Sequence, residues 1–282
     1  MRAVRLVILG ALLAIPLPCA QADWRFGAES GSLYESNLSN SDRASDEKQD
    51  WAWKSGAQAG NGLQLSRDLR LNLGADLRSL VWGRYDGLDQ IGSGVSAGLR
   101  YRFGLGRQAP WITLEDRIGY DHFRENFRSS WDETLGLRGG IGLSERLALE
   151  CGYLFENIAA PGDFFDQQSN RVDGRIIVDL TASLQIGLGY SYRNGDIISY
   201  AVPPRPDLFA IARVRPQVST FGTNPFYNAY RLRGETHAVT VAAGYTIRKY
   251  LSIEVAYEYA ATSHDPLQYE NHLVEAKIAF AY

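Results

Sequence analysis

Short turns recur along this chain, and each is followed by a segment with an aliphatic residue at every second position. Leu-x-Leu-x-Leu at 69–73 follows one turn, Leu-x-Ile-x-Leu at 184–188 follows another, and Leu-x-Ile-x-Val at 251–255 follows a third. Side chains of a strand alternate between its two faces, so one face of each segment is apolar and the other is polar. This period of two predicts β-strands joined into hairpins.

The last residues show the same alternation. Val274, Ile278 and Tyr282 share one face, whereas Glu275 and Lys277 lie on the other. A strand with one face in lipid and the other in a polar lumen has this pattern. With its terminal aromatic residue, the segment resembles the closing strand of bacterial outer-membrane barrels, which the barrel assembly machinery reads. An edge strand of a soluble β-sandwich is the alternative.

The first residues predict a secretory signal peptide. Two arginines precede an apolar run at 6–17, which is too short to span a bilayer as a helix. Ala20-Gln21-Ala22 has the A-x-A pattern of a cleavage site. We therefore expect residues 1–22 to be removed and residues 23–282 to form a single outer-membrane β-barrel domain. Lipidation of Cys19 is the alternative.

Counting these segments predicts an all-β fold, a transmembrane antiparallel up-and-down β-barrel of about twelve strands. An even number of strands returns both chain ends to the periplasmic rim, with short turns at that rim and longer loops outside. Ten or fourteen strands are the alternatives. The predicted strands lie near 24–36, 49–65, 69–83, 91–103, 111–124, 131–143, 147–157, 170–181, 184–195, 236–247, 251–261 and 272–282.

Composition excludes several classes of protein. The chain has no run of about 18 apolar residues, so we expect no helix to span a membrane. Its net charge of −3 over 282 residues is not that of a nucleic-acid-binding protein. Only Cys151 would remain after the predicted cleavage, so no internal disulfide is expected. The sequence indicates no cofactor and no metal site.

The inward face of the expected barrel carries charge of both signs. Unpaired buried charges cost several kcal/mol, so they persist only in ion pairs or in water, and a lumen supplies both. One interpretation is a pore whose arginines attract anions. The other is a salt-bridged plug, since twelve strands lie between the sizes of filled and open barrels. The candidate pore-lining residues are Arg70, Arg78, Arg100, Arg102, Arg117, Arg138, Glu150, Glu254 and Glu258.

Residues 196–235 interrupt the regular succession of predicted strands and turns. Loops of this length are usually functional or disordered, and the aromatic residues in this one predict an ordered loop. We interpret it as a constriction folded into the pore or as a lid over its mouth, with arginines as anion contacts. Contact with lipopolysaccharide phosphates and an unspecialised surface loop are the alternatives. The candidate constriction residues are Arg205, Arg213, Arg215, Arg231 and Arg233.

Some outer-membrane barrels are lipid hydrolases, which need a nucleophile with a histidine base in reach. Gln168-Ser169-Asn170 resembles the Ser-Asn part of outer-membrane phospholipase A, but Gln167 stands where that family has its histidine. We therefore expect no enzymatic activity. A catalytic role would require Ser169 or Ser36 to approach His122 on the outer face.

Tyr34-Glu35-Ser36-Asn37-Leu38 is similar to the Tyr-Asp-x-Asn-Leu opening of the uncharacterised putative β-barrel porins of bacteria. This resemblance covers the first strand and the general barrel pattern, and it implies passive transport. We therefore expect a narrow outer-membrane channel for small polar or anionic solutes. Its other expected partners are outer-membrane lipids, lipopolysaccharide and the barrel assembly machinery, with no nucleic acid. A closed structural or adhesive barrel, whose loops bind a partner, is the alternative.

Overall fold

The computed structural model of this protein describes residues 23–222 and 227–282, so the predicted signal peptide and its cleavage site lie outside the described residues. The strands are β1 Asp23–Glu35, β2 Asp50–Gln64, β3 Leu69–Trp82, β4 Gln90–Arg102, β5 Trp111–Phe123, β6 Ser130–Gly142, β7 Leu147–Ala159, β8 Gln167–Asp179, β9 Leu184–Ala201, β10 Arg213–Arg215, β11 Asn228–Arg248, β12 Leu251–His264 and β13 Leu267–Ala281. Two 3-10 turns, Asp86–Leu88 and Asn126–Arg128, and the four-residue helix α1, Pro206–Phe209, lie between strands. Among the described residues no helix is long and apolar enough to cross a membrane.

Twelve of these strands form one closed antiparallel barrel. Each strand pairs with its neighbours in sequence, and the pairing of β1 with β13 closes the ring. The short strand β10 is an addition at the edge of β11. The predicted all-β, up-and-down barrel of twelve strands is therefore confirmed.

The two faces of the barrel follow from the register of the strands. Asp76 lies opposite Gly94, Gly94 opposite Gly119, and Gly119 opposite Asp132, so one inward row crosses four strands. The neighbouring positions point outward and are apolar and exposed, as a lipid-facing surface requires. These exposed residues include Leu77, Val95, Leu114, Leu135, Ile176, Leu188, Val241, Val255 and Ile278.

Aromatic side chains are exposed near both ends of the outer wall. Trp51, Trp53 and Trp131 lie toward the rim with the longer loops, whereas Phe26 and Phe103 lie toward the rim with the short turns. Aromatic girdles at both interfaces are typical of outer-membrane barrels. Short turns at one rim and longer loops at the other are the arrangement of the periplasmic and extracellular rims of outer-membrane barrels, and the two rims are named accordingly below.

The loop predicted at 196–235 is shorter than expected. Strand β9 continues to Ala201 and β11 begins at Asn228, and these two residues are still paired with each other. The described residues between them are 202–222 and 227, and they contain α1 and β10. The prediction was wrong because both faces of this hairpin extension are covered by apolar residues. Its sequence therefore lacks the polar–apolar alternation of the membrane-spanning strands.

Candidate channel lumen and its extracellular lid

One network of charges lies on the inner wall of β3, β5 and β6. The Arg78 guanidinium donates to both carboxylate oxygens of Asp121, at 3.0 and 2.7 Å, and to Asp132 at 3.1 Å. Arg117 donates to both oxygens of Asp76, at 2.9 and 2.8 Å, and also to Asp132. Two arginines therefore share three carboxylates, and the field of Arg78 and Arg117 is locally neutralised.

Glycines on β4 let this network lie flat against the wall. A Cβ at Gly92 would collide with the carboxylate of Asp121, and a Cβ at Gly94 would collide with the guanidinium of Arg117. The charged side chains therefore occupy the space that larger residues would fill, instead of projecting across the bore.

A second network lies across β1, β2, β12 and β13. Lys54 pairs with Glu275 at 2.8 Å and lies 4.0 Å from Glu29. Lys277 lies 3.4 Å from Glu29 and 3.7 Å from Glu254. The predicted acidic wall at Glu254 is thus partly neutralised by a lysine of the neighbouring strand.

Three more of the predicted wall residues, Arg138, Glu150 and Glu258, also have partners close by. Arg138 lies 3.6 Å from Glu115 on the adjacent strand. Glu150 accepts from Arg175 at 2.7 Å, and Glu258 accepts from the Thr240 hydroxyl at 2.9 Å. Among the described strand residues, no ion pair joins strands more than three places apart in the ring. The ion pairs therefore run along the wall and do not cross the lumen.

Space remains inside the barrel along β8, β9, β11 and β12. A cavity of about 330 Å³ is lined by Arg138, Arg171 and Glu258, among others. A second cavity of about 810 Å³ lies at the periplasmic end, where Arg107 of the 103–110 turn pairs with Asp179. The interior is polar at both cavities, as a water-filled lumen requires.

Three of the predicted arginines gather at the periplasmic end of β3 and β4. Arg70 lies directly opposite Arg100 in the register, and Arg102 follows two residues further along β4. Arg100 stacks on the ring of Trp111, with 4.1 Å from its guanidinium carbon to the ring centroid. Within residues 23–222 and 227–282, no carboxylate forms an ion pair with these three arginines.

The described residues 202–222 after β9 reach across the extracellular mouth. The ring of Phe221 contacts the ring of Tyr85, with 5.1 Å between centroids. Tyr85 belongs to the loop between β3 and β4, and four strands separate this hairpin from the β9–β11 hairpin in each direction round the barrel. Two side chains on opposite walls can only meet if one of the loops spans the mouth. We call the segment 202–222 the lid.

Two apolar clusters cover the two faces of the β9–β11 extension. The outer cluster contains Phe164, Phe165, Ile198, Tyr200, Val218, Phe221, Tyr227 and Ala229. The lumen-side cluster contains Ile197, Ala201, Leu208, Tyr230, Leu232, Leu267 and Tyr269. Residues from loops on several sides of the barrel therefore share one packed cap, which consists of the lid, this extension and the loops that touch it.

Loop 36–49 forms hydrogen bonds with the β9 edge of this extension. The Tyr200 backbone N–H donates to the Ser39 carbonyl at 2.8 Å, and the Asn40 amide donates to the Ile198 carbonyl at 2.9 Å. This loop joins β1 to β2, so these bonds link two hairpins that are separated by β12 and β13. They satisfy backbone groups that β8 no longer pairs with beyond Gly195.

Arg128 is the central polar residue of the outer cluster. It forms an ion pair with Glu125 at 3.0 Å, donates to the Tyr200 hydroxyl and donates to Thr220 at 3.2 Å. Burial lowers the pKa of the Arg128 guanidinium to about 10, so it is still charged at neutral pH. Since Glu125 also accepts from Thr220 at 2.7 Å, the pair ties the lid to the loop between β5 and β6.

Arg205 is not a free anion contact, because it forms ion pairs with Asp207 beside it and with Asp42 of loop 36–49. Hydrogen bonds to these carboxylates raise the pKa of Arg205, and the bond from Arg205 lowers the pKa of Asp207. The sequence could not reveal Asp42 as a partner, because it lies far away along the chain. Arg205 thus connects the lid to the loop between β1 and β2.

The other four predicted constriction arginines lie around the cap. Arg213 and Arg231 donate to the Asp163 carbonyl, and Arg231 also pairs with Asp196 at 2.9 Å. Arg215 stacks on the ring of Phe127 at 4.3 Å. Arg233, like Arg231, occupies a position of β11 that is continuous with the lipid-facing side, and it donates to Asn194. The structure places Arg231 and Arg233 outside the bore.

The residues of the hydrolase alternative do not come together. Ser169 faces inward from β8 and donates to Glu156, whereas His122 faces outward from β5 and lies 3.5 Å from Ser129. Ser36 donates to Asn271, on a different side of the barrel. Neither Ser169 nor Ser36 therefore approaches His122, as the hydrolase alternative requires.

No protein-family model matches the chain, and no curated protein is similar to it in sequence. Solved structures are similar to it in fold. The COG4313 outer membrane channel from Pseudomonas putida F1 has a TM-score of 0.63 at 13% identity, with 94% of this chain and 97% of that chain covered. At 13% identity, this likeness shows that the two chains share a fold.

Two further solved structures are similar over most of their length, but more distantly. The NanC porin has a TM-score of 0.46 at 10% identity, with 90% of this chain and 98% of that chain covered. The outer membrane channel DcaP of Acinetobacter baumannii has the same TM-score at 9% identity, with 94% and 99% covered. At these identities the likeness concerns the fold alone, and at that level the predicted resemblance to outer-membrane porins is confirmed.

Proposed function

We propose that this protein is a passive channel of the bacterial outer membrane for small polar solutes, with anions preferred over cations, and that its cap acts as a lid. The observation that carries this proposal is the course of the ion pairs, which run along the wall and leave polar cavities inside the barrel. A plug that merely filled the barrel would join opposite walls.

The preference for anions rests on the arginines whose charge is not neutralised. Arg78 and Arg117 share carboxylates, whereas Arg70, Arg100 and Arg102 face the lumen without a carboxylate partner among the described residues. Fixed positive charge in a pore raises the local concentration of anions. In this proposal the outer wall contacts membrane lipids and lipopolysaccharide, and the assembly machinery inserts the barrel through its C-terminal strand.

A closed adhesive barrel is the second candidate. The packed cap favours it, because two apolar clusters cover the extracellular mouth and present a rigid surface to the outside. The two candidates differ in what lies beneath the cap, since only a channel needs a continuous path for ions.

Planar-bilayer recording distinguishes these candidates. The proteins to compare are the wild type and a variant in which a short Gly-Ser linker replaces residues 206–222. In a potassium chloride gradient, we expect the lid-shortened variant to conduct. Its reversal potential should be shifted toward the equilibrium potential of chloride. Arg100→Ala and Arg78→Ala in that variant should both move the reversal potential toward potassium. If neither protein conducts, the channel is ruled out and the closed barrel is favoured.

A further inference from the structure

Arg70, Arg100 and Arg102 form a cluster at the periplasmic end whose positive charge exceeds the negative charge around it. Arg70 and Arg100 are direct cross-strand neighbours, and like charges in this position destabilise a sheet. The charges that act most on Arg100 are those of Arg102 and Arg70, which repel it, and of Glu150, which attracts it. Glu150 is already bonded to Arg175 through both Nε and Nη2. The cluster therefore carries an excess of positive charge that the described residues do not compensate.

The guanidinium groups of Arg70 and Arg100 are nevertheless held in defined positions. Arg100 stacks on Trp111, whose ring lies close over Gly140 and is thereby fixed against the wall. Arg70 lies across Gly62, where any side chain would collide with its guanidinium. The wall thus orients these donors before any ligand arrives, which lowers the entropic cost of binding.

One donor of the cluster has no acceptor. The Nε of Arg70 is buried and forms no hydrogen bond within the described residues. Buried donors are normally satisfied, so this atom indicates a missing partner. A cavity of about 490 Å³ lies beside it and is lined by Arg25, Arg70, Asn72, Asp76 and Ser96, among others; the carboxylate of Asp76 is bonded to Arg117. A small anion has room to enter this space.

We propose that Arg70, Arg100 and Arg102 form a saturable subsite for a small multivalent oxyanion, a phosphate or a dicarboxylate, at the periplasmic end of the lumen. Such oxyanions accept two parallel hydrogen bonds from one guanidinium, which a halide does not. The subsite refines the proposed channel, on which it rests for its role in transport. Its binding of an anion is measurable without any conduction.

The test is a titration of the purified full-length barrel in detergent with inorganic phosphate, followed by isothermal calorimetry at low ionic strength. Succinate and chloride are titrated in parallel. We expect saturable binding of phosphate or succinate and none of chloride. Arg100→Ala should weaken that binding about tenfold or more, as loss of a charged donor does. Arg70→Ala should do the same, whereas Arg100→Lys should retain part of the affinity.

Arg171→Ala is the matched control. Arg171 is an arginine on the inner face of β8, 3.9 Å from Asp173, and it lies outside the cluster. This variant should bind phosphate or succinate as the wild type does. Heat-dependent gel migration verifies that each variant forms a barrel.

Absence of saturable binding by phosphate and succinate overturns the subsite, and so does equal weakening by Arg171→Ala. Binding by a lid-shortened protein that conducts no ions would refute the channel and leave the subsite standing. Conduction with a chloride preference but without binding would refute only the subsite.

Discussion

The cap and the lumen wall bury charges in two different ways. In the cap, the side chains of Arg205 and Arg128 are only 5% and 13% exposed, and Arg128 also stacks on the ring of Phe165. On the wall, Arg78 and Lys54 are 36% and 35% exposed and face the lumen. An ion pair inside a packed core cannot be broken without leaving a buried charge, whereas a wet pair can exchange its partner for water. The cap is therefore a cooperative unit, and the wall is an adaptable surface.

Arg128→Met should have the largest effect, because it leaves Glu125 buried in the cap without its cation. We expect the cap to lose about 3–5 kcal/mol of local stability. The measurement is the rate of proteolysis of the lid in the folded barrel, which reports local opening.

Arg124→Met is the control in the same loop. Arg124 pairs with Asp86 on the surface, and both side chains are largely exposed. This variant should change the free energy of lid opening, calculated from the cleavage rate, by less than about 1 kcal/mol. Equal rates for the two variants would contradict a stabilising role of the buried Arg128–Glu125 pair in the cap.

A double-mutant cycle of Tyr85→Ala and Phe221→Ala tests whether the lid reaches the opposite rim. The two rings meet edge to face, so we expect a coupling free energy of about 0.5–1.5 kcal/mol in the same proteolysis measurement. Additive effects would place the lid away from the β3–β4 loop. Leu77→Ala together with Phe221→Ala is a suitable control pair, because Leu77 is exposed on the lipid-facing wall.

Gly94→Ala should alter the wall without affecting the cap. The added methyl group collides with the guanidinium of Arg117, which must then move toward the bore. We expect a lower single-channel conductance of the lid-shortened protein and unchanged proteolysis of the lid in the full-length protein. Gly98→Ala is the matched control, since its nearest side-chain neighbour, Thr113, lies 3.8 Å away. Equal conductance of the two variants would show that Arg117 does not lie flat over Gly94.

The smallest expected effect is the pH dependence of the lid. The hydrogen bond from Arg205 lowers the pKa of Asp207 below its ordinary value of 3.8, so its contribution is complete above that value and is lost as the pH falls through the lowered pKa. Lid proteolysis by an acid-stable protease should stay flat down to about pH 4 and rise only below it.

Asp207→Asn should remove part of this rise, and Asp86→Asn should not. Asp86 pairs with Arg124 on the surface and does not touch the lid. A rise between neutral pH and about pH 5 would assign the lid's pH dependence to another group.

The same contrast explains what the sequence could predict. Alternation at positions such as 69–73 and 251–255 predicts the strands. Each strand of a transmembrane barrel has one face in lipid and one in the lumen, which imposes a period of two on its sequence. The inward arginines follow from that period, and the structure places Arg70, Arg100 and Arg117 on the inner face.

The cap could not be predicted from periodicity. Ile197 and Ile198 are adjacent apolar residues that serve opposite faces of the β9–β11 extension, so they give no alternating signal. Arg128 resembles any polar loop residue, because its burial depends on Tyr200 and Thr220, which are distant in sequence. Contacts between loops are tertiary, and only the high aromatic content of the long loop indicated an ordered unit.

The most direct test of the account is the sidedness of access to the lumen. Ser96 faces inward and lines the cavity near the periplasmic end, and Cys151 is the free cysteine of the described residues. In a Ser96→Cys, Cys151→Ser protein of known orientation in liposomes, a membrane-impermeant thiol reagent should label residue 96 rapidly from the periplasmic side and very slowly from the extracellular side. Replacing residues 206–222 with a linker should make both rates similar. Equal rates from the two sides in the protein with its full lid would contradict a lid over an open lumen.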